Sequence, residues 1–297
     1  MPEQSLAGIH FMLPTPYQAN GQVDLDAFQR LVGKAREVGC RGVVCLGVMG
    51  EAHRLSDDER DAVMAAVIAQ AGKDVAVTVG VSSEANHLAA LRAEEAQKAG
   101  ATAVMVAPPR MAKPNDQVLF GYYEAVSRAI TVPMVVQDLP QETGVHMSPE
   151  FIARLNKEVP RAVYLKLEDS PTPPKVSRVL KATGPKMGVF GGLGGSFLYE
   201  ELRRGAIGTM TGFAFPEVLV EIYRSNAKGD IERARATFYR WLPLIRYENQ
   251  PGIGLSIRKH IMKRRGLIND AAVRLPGPSI DDATRAELED LLDAMAV

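Results

Sequence analysis

REVGCRGVVCLG, Arg36 to Gly47, runs from basic, helix-ending residues through Gly39, a glycine suited to the left-handed position after a helix, into the apolar run VVCL. The same phrase returns as QKAGATAVMVAP (Gln97 to Pro108) and RRGAIGTMTG (Arg203 to Gly212). Each is a joint where a helix hands over to a strand. The runs VVCL and AVMV are apolar at successive positions, as strands buried on both faces of a parallel sheet require. Between the joints the period changes to that of a helix. Asp24 caps a segment carrying Leu25, Phe28, Leu31, Val32, Ala35 and Val38. Ser56 with Glu59 forms a capping box, and Ser148-Pro149 opens another helix. Strands are expected at Ile9–Leu13, Val43–Leu46, Val75–Val79, Ala103–Val106, Met134–Gln137, Ala162–Leu167, Met187–Phe190 and Ile207–Met210. That makes eight, and no dinucleotide fingerprint follows the first. The pattern therefore predicts an α/β protein, a closed (β/α)8 barrel over residues 1–225, rather than a doubly wound sheet. Residues 226–297 add helical stretches at Ile231–Tyr247, Ile253–Arg265 and Asp281–Met295, packed outside the barrel.

Charge narrows the function classes. Thirty-five basic residues balance thirty-five acidic ones, so no net field draws the chain to nucleic acid or a membrane. The opening MPEQSLAG lacks a basic segment followed by an apolar run, and no stretch approaches the ~20 apolar residues that cross a bilayer. A cytoplasmic protein with a small-molecule ligand is the expectation. Cys40 and Cys45 show no CxxC spacing and read as reduced, buried hydrophobes. His10, His53, His87, His146 and His260 show neither HxH nor HxxxH, so no metal is expected.

The chemistry concentrates at AVYLKLED, Ala162 to Asp169. Alternation puts Val163, Leu165 and Leu167 on one side of the strand and Tyr164, Lys166 and Glu168 on the other. The apolar side meets the helices. Lys166 then points into the barrel near the C-terminal ends of the strands, the face where barrel active sites form. An amine in a poorly solvated pocket attacks a ketone to give a Schiff base, whose cationic imine loosens the C3 proton or the C3–C4 bond of a 2-oxo acid. A plain ion pair with Glu168 accounts for the residue types equally well.

PTPY (Pro14 to Tyr17), GVMGEAHRLSDDER (Gly47 to Arg60), PPRMAKP (Pro108 to Pro114), QDLPQETG (Gln137 to Gly144) and YLKLE together resemble, in order and spacing, the dihydrodipicolinate synthase / N-acetylneuraminate lyase family. The resemblance spans nearly the whole chain. It implies a barrel with a helical C-terminal extension, usually a homotetramer and otherwise a dimer, acting on pyruvate or a larger 2-oxo acid without cofactor. It also implies that Lys166 is the Schiff-base residue.

The departures from the family pattern are specific. Where family members read GTTGE, this chain has Gly47-Val48-Met49-Gly50-Glu51, which keeps backbone N–H groups for a carboxylate but lacks the hydroxyls. Gln137 stands where the family places a proton-shuttling tyrosine, and an amide cannot titrate. Glu142 replaces the arginine of PSRTG, and Arg110 and Met111 replace the tyrosines expected after PP. These changes disfavour the synthase reaction, since a general acid or base contributes ~10²–10⁴-fold. MVVQDLP, YLKLE, GTMTGFAFP and WLPLIRYEN look like the 2-keto-3-deoxy-arabonate dehydratase branch, which implies elimination of the C4 hydroxyl.

On that reading Lys166 is the nucleophile, Gln137 a hydrogen-bonding positioner, and Glu168 either the base or the partner that orients Lys166. Gly47, Val48, Met49 and Gly50 bind the carboxylate. Arg110 faces a hydroxyl or carboxylate of the substrate, or solvent. Gly191 and Gly192, in the glycine-rich GGLGGS exit loop of strand seven, leave room for the substrate chain. Asp138, on the other side of its strand from Gln137, caps the following turn. RKHIMKRR (Arg258 to Arg265) is a solvated helix face. Two alternatives stand beside the dehydratase: a pyruvate-dependent aldolase or synthase, and a barrel that binds without catalysing.

Overall fold

A computed structural model describes residues 6–111 and 113–297; the opening MPEQS and Ala112 of PPRMAKP lie outside the described residues. The strands are β1 Gly8–Met12, β2 Gly42–Cys45, β3 Ala76–Gly80, β4 Ala103–Val106, β5 Met134–Asp138, β6 Ala162–Leu167, β7 Gly188–Gly191 and β8 Gly208–Thr211. Neighbours pair in parallel around a closed ring, and β1 closes on β8 through Gly8↔Gly208 to Phe11↔Thr211. The protein is a (β/α)8 barrel with C-terminal helices. Each strand end lies within a residue or so of its expected place.

The joints work as their chemistry dictates. Gly39 (φ 81°) and Gly100 (φ 106°) take the left-handed conformation at the ends of the helices Ala27–Val38 and Asn86–Ala99. The capping box at Ser56 and Glu59 is formed, and Ser148 Oγ accepts from Phe151 N at 3.0 Å. Asp24 sits two residues outside the cap position, which Asp26 occupies, yet its carboxylate still accepts from Ala27 N at 3.3 Å.

Two details position the site. In β5 and β6 the register slips after Met134↔Ala162, so that Val135 faces Tyr164 and Gln137 faces Lys166. One extra residue in β6 changes the parity of pairing and puts Gln137 and Lys166 on the same, inward face at the same height. Below them the barrel is plugged by His10, Phe190 and Tyr164, with His10 and Phe190 edge to face at 5.3 Å and Tyr164 at 5.8 Å from Phe190. Burial holds His10 down to about 4, so this plug stays uncharged at neutral pH.

The helices Ile231–Glu248, Gly254–Arg264 and Asp282–Ala294 follow the barrel. The basic run Arg258–Arg265 is only in part the solvated face expected of it, with Lys263 and Arg264 exposed. Lys259 is fully buried with its Nζ 2.7 Å from Glu51 Oε1, Arg258 pairs with Glu248, Arg264 with Asp293, and Arg265 with Glu217. The run clamps the extension onto the C-terminal ends of the strands, and charges that looked spare in the sequence are paired. No described helix is long and apolar enough to cross a membrane.

Candidate active site

The inward face of β6 ends in Lys166 and Glu168, at 2% and 6% exposure. Lys166 Nζ lies 3.0 Å from Glu168 Oε2 and donates to Met12 Sδ, on β1, at 3.1 Å. Gln137 Nε2 donates to the same Glu168 oxygen at 2.8 Å, and Leu193 N donates to the other at 3.2 Å. Gln141 Nε2 adds a bond to the Glu168 carbonyl at 3.0 Å. Two donors therefore hold the carboxylate and a third holds the backbone carbonyl behind it, while one carboxylate oxygen also faces the amine. These groups line a cavity of about 480 Å³. That size suits a small organic molecule, for which pockets run roughly 300–1,000 Å³.

The loop after β2 forms the opposite wall. Leu46 (φ 57°) and Glu51 (φ 52°) both sit in the left-handed region, a conformation costing roughly 1–2 kcal/mol for a residue with a Cβ. Three partners hold Glu51 there: Lys259 Nζ at 2.7 Å, Arg274 N at 2.8 Å and Arg54 Nη1 at 3.1 Å. Thr15 Oγ1 donates to the Gly50 carbonyl at 2.6 Å. Val48 and Met49 line the Lys166 cavity. Gly47 and Gly50 shape the turn behind them instead; a Cβ at Gly47 would stand 2.6 Å from Met12 Cε.

Two sequence expectations need correction, those for Gly191 with Gly192 and for Asp138, and Arg110 takes the solvent-facing one of its two alternatives. Gly191 and Gly192 make room for carboxylates and not for a ligand. A Cβ on Gly192 would meet Glu168 Cγ at 2.4 Å, and one on Gly191 would meet Glu201 Oε2 at 1.8 Å. Arg110 lies outside the Lys166 cavity, lining a neighbouring one of similar volume. There its Nε donates to the Glu142 carbonyl at 2.9 Å, and its side chain is 72% exposed. Asp138 does not cap the turn. Its Oδ2 is 2.6 Å from Lys175 Nζ, which also reaches Asp169 Oδ2 at 2.7 Å. Desolvation pushes the Asp138 carboxyl up to about 6 against the pull of Lys175. Since Asp138 follows Gln137 and Asp169 follows Glu168, one lysine behind the barrel wall ties together the strand ends that present the two site residues.

Sequence reasoning missed Met12, Gln141 and Arg258, all of which line the cavity. Gln141 and Arg258 lay inside quoted motifs, but nothing in the one-dimensional pattern aims a loop or extension side chain at a site on another element. Cys40 and Cys45 are buried and free, and burial pushes both thiols up to about 12. Among the described residues no cluster of three or more His, Cys, Asp or Glu is arranged to hold a metal.

A model of the dihydrodipicolinate synthetase family matches residues 5–295. The chain belongs to that family. Within the dihydrodipicolinate synthetase family it is a lyase acting on a small molecule. It is 32% identical to the L-2-keto-3-deoxyarabonate dehydratase of Azospirillum brasilense over 95% of this chain and 92% of that one. It is 30% identical to the 4-hydroxy-tetrahydrodipicolinate synthase of Methanothrix thermoacetophila, over 97% of each. Among solved structures, a dihydrodipicolinate synthase from Rhodopseudomonas palustris superposes with a TM-score of 0.92 at 38% identity, covering 97% of each chain. The chloride-inhibited synthase of Acinetobacter baumannii, complexed with pyruvate, superposes with a TM-score of 0.90 at 25% identity, over 98% of this chain and 99% of that one.

Proposed function

We propose that the protein is a Schiff-base dehydratase of a 2-keto-3-deoxy sugar acid of the pentonate type, with Lys166 as its nucleophile. The observation that carries this reading is the single carboxylate, Glu168, held 3.0 Å from the Lys166 amine with an amide, Gln137, in place of a titratable phenol. Glu168 first relieves the ammonium of a proton. The amine adds to C2, and the returned proton lets the C2 oxygen leave as water, giving the iminium. Glu168, a carboxylate again, takes a proton from C3, the carbon next to the new C=N bond, and the electron pair moves into an enamine. That pair expels the C4 hydroxyl, which takes the proton from Glu168 and departs as the second water. Tautomerisation and hydrolysis release a semialdehyde and the free amine. The net change is loss of one water from the substrate.

Gln137 holds Glu168 beside the reacting carbons through its 2.8 Å bond. The Val48 and Met49 amides receive the substrate carboxylate. The similarity to the Azospirillum brasilense dehydratase supports elimination. Glu142, where synthases carry a carboxylate-binding arginine, argues against condensation with a second acidic substrate. A pyruvate-dependent synthase or aldolase is favoured only by the synthase relatives. Incubation with a 2-keto-3-deoxypentonate separates the readings. A semialdehyde without pyruvate is expected, and pyruvate plus an aldehyde would establish cleavage instead. Borohydride that traps no adduct would leave a barrel that binds without catalysing. We propose a homo-oligomer, tetramer or dimer, as the assembly, which light scattering checks.

A further inference from the structure

Arg258 projects from the helix Gly254–Arg264 into the cavity that holds Lys166, and no step above uses it. Its Nε donates to Glu248 Oε2 at 3.2 Å and its Nη2 to Asn249 Oδ1 at 3.1 Å. Among the described residues the remaining nitrogen, Nη1, is bonded only to Met49 Sδ, at 3.9 Å, and a thioether is a weak acceptor. The Arg258 side chain is 12% exposed, and its guanidinium presses against the β7 exit turn so closely that a Cβ on Gly194 would stand 2.8 Å from Nη2. Asn249 is fixed in turn by its Nδ2 bond to Ser196 Oγ at 3.2 Å. A donor fork is thus locked in place with one prong facing the cavity.

Two methionines pave the wall between this arginine and the lysine. Met12 Sδ meets Lys166 Nζ, and Met49 Sδ meets Arg258 Nη1. Each thioether packs where a glycine leaves space, Met12 against Gly47 and Met49 against Gly212. A 2-oxo acid bonded through C2 to Lys166 therefore extends its far carbons along an apolar wall that ends in polar groups. Those groups are charge-compensated, because Glu248 is wholly buried beside Arg258 and lines the same cavity. A hydroxyl accepts from Arg258 and donates to the Asn249 oxygen, with Glu248 buried behind them as the counter-charge. A second carboxylate there would face Glu248.

We infer that Arg258, with Asn249 and Glu248, forms a subsite that recognises the hydroxylated, uncharged tail of the substrate, an inference that rests on the Schiff-base reading above. It is tested by imine trapping, which does not depend on elimination. The C2 oxygen of a bound acid leaves as water, and borohydride delivers hydride to the iminium carbon to leave a stable secondary amine on Lys166. The half-saturating concentration for adduct formation is measured with pyruvate, a 2-keto-3-deoxypentonate and 2-oxoglutarate.

The wild-type chain is expected to take the hydroxylated acid at roughly tenfold lower concentration than the other two, and Arg258→Met to erase that preference without changing the value for pyruvate. Arg258→Lys, which keeps a cation beside buried Glu248 and so protects folding, is expected to lose most of the preference as well. Preference for 2-oxoglutarate, or an unchanged preference in both variants, would overturn the subsite while leaving the Schiff base intact. No adduct with any acid would remove the Schiff-base reading and the subsite with it.

Discussion

Lys166 and Lys175 are both buried, one on the inward face of β6 and the other on the helix Thr172–Thr183 just behind it, yet their surroundings differ in kind. Lys175 is saturated by charge: its Nζ donates to two carboxylates, Asp138 and Asp169, at 2.6 and 2.7 Å. Lys166 has one carboxylate and a thioether, and opens onto a cavity. Lys166, beside one carboxylate and with only a weak acceptor on its other flank, faces space for a ligand. On the Schiff-base reading proposed above, two lysines on consecutive elements divide the labour: Lys166 is the nucleophile, and Lys175 holds the strand ends that arrange it.

The largest effects should come from removing either lysine, and the two losses should look different. Lys166→Ala is expected to abolish the borohydride adduct and cut turnover by roughly 10³-fold or more, at a smaller stability cost than Lys175→Met because Glu168 keeps its bonds from Gln137 and Leu193. An adduct surviving in that variant would break the comparison. Lys175→Met leaves two carboxylates facing each other and should cost about 3–5 kcal/mol in the denaturation midpoint at unchanged m. Its folded fraction should still trap pyruvate, with kcat lower by roughly tenfold as the spacing of Gln137 and Glu168 loosens, and Lys175→Arg should restore part of it. A variant of normal stability and normal kcat would show that the tie behind the wall does nothing for the site.

Glu201 sharpens the contrast because it is a buried carboxyl with no lysine. Thr172 Oγ1 donates to it at 2.5 Å, and desolvation pushes it up to about 7 from 4.5. The folded state therefore holds this proton more tightly than the unfolded chain. As pH rises from 4.5 to 7 the unfolded chain ionises first, so stability falls across that window and the full cost is present above it. Glu201→Gln should raise stability at pH 8 by roughly 1–3 kcal/mol and leave it unchanged near pH 4. The slope should shrink without vanishing, since Glu248, also pushed up by burial to about 7, titrates in the same window. Thermal melts of both chains across pH 4 to 8 check this, and parallel curves would refute it.

Much of the barrel was legible because its signals are local. A glycine after a basic helix end and an apolar run each act within a few residues, so every strand could be placed. Lys166 was legible for the same reason: a charged residue in an otherwise apolar strand is a local anomaly. What stayed hidden depends on contacts between distant elements. The register slip that sets Gln137 beside Lys166 leaves no mark in either strand alone. Asp138 read as a turn residue because its partner, Lys175, comes from a later helix. Gly191 and Gly192 read as open space because Glu201 and Glu168 fill that space only after folding. The basic run at Arg258–Arg265 read as a solvated face because Glu51, Glu217 and Glu248, which neutralise it, come from three other parts of the chain.

Arg110 offers the smallest expected effect and a test of how far the site extends. The sequence allowed it to touch substrate, but it lies across the rim from Glu142, their charged groups 3.7 Å apart at 72% and 49% exposure. An exposed pair at that distance is screened by water and salt and typically contributes less than about 1 kcal/mol. Its one close bond, from Nε to the Glu142 carbonyl, tidies a loop that the left-handed Gly144 and the Thr143 hydroxyl already fix. Arg110→Ala should therefore shift the denaturation midpoint by less than about 1 kcal/mol and change kcat/KM by no more than roughly twofold. A tenfold rise in KM with kcat unchanged would mean that the neighbouring cavity, which Arg110 lines and which shares Gln137 and Val48 with the Lys166 cavity, also holds part of the substrate. The tail would then run toward β4 and away from Arg258, because one chain bonded at Lys166 cannot lie along both walls.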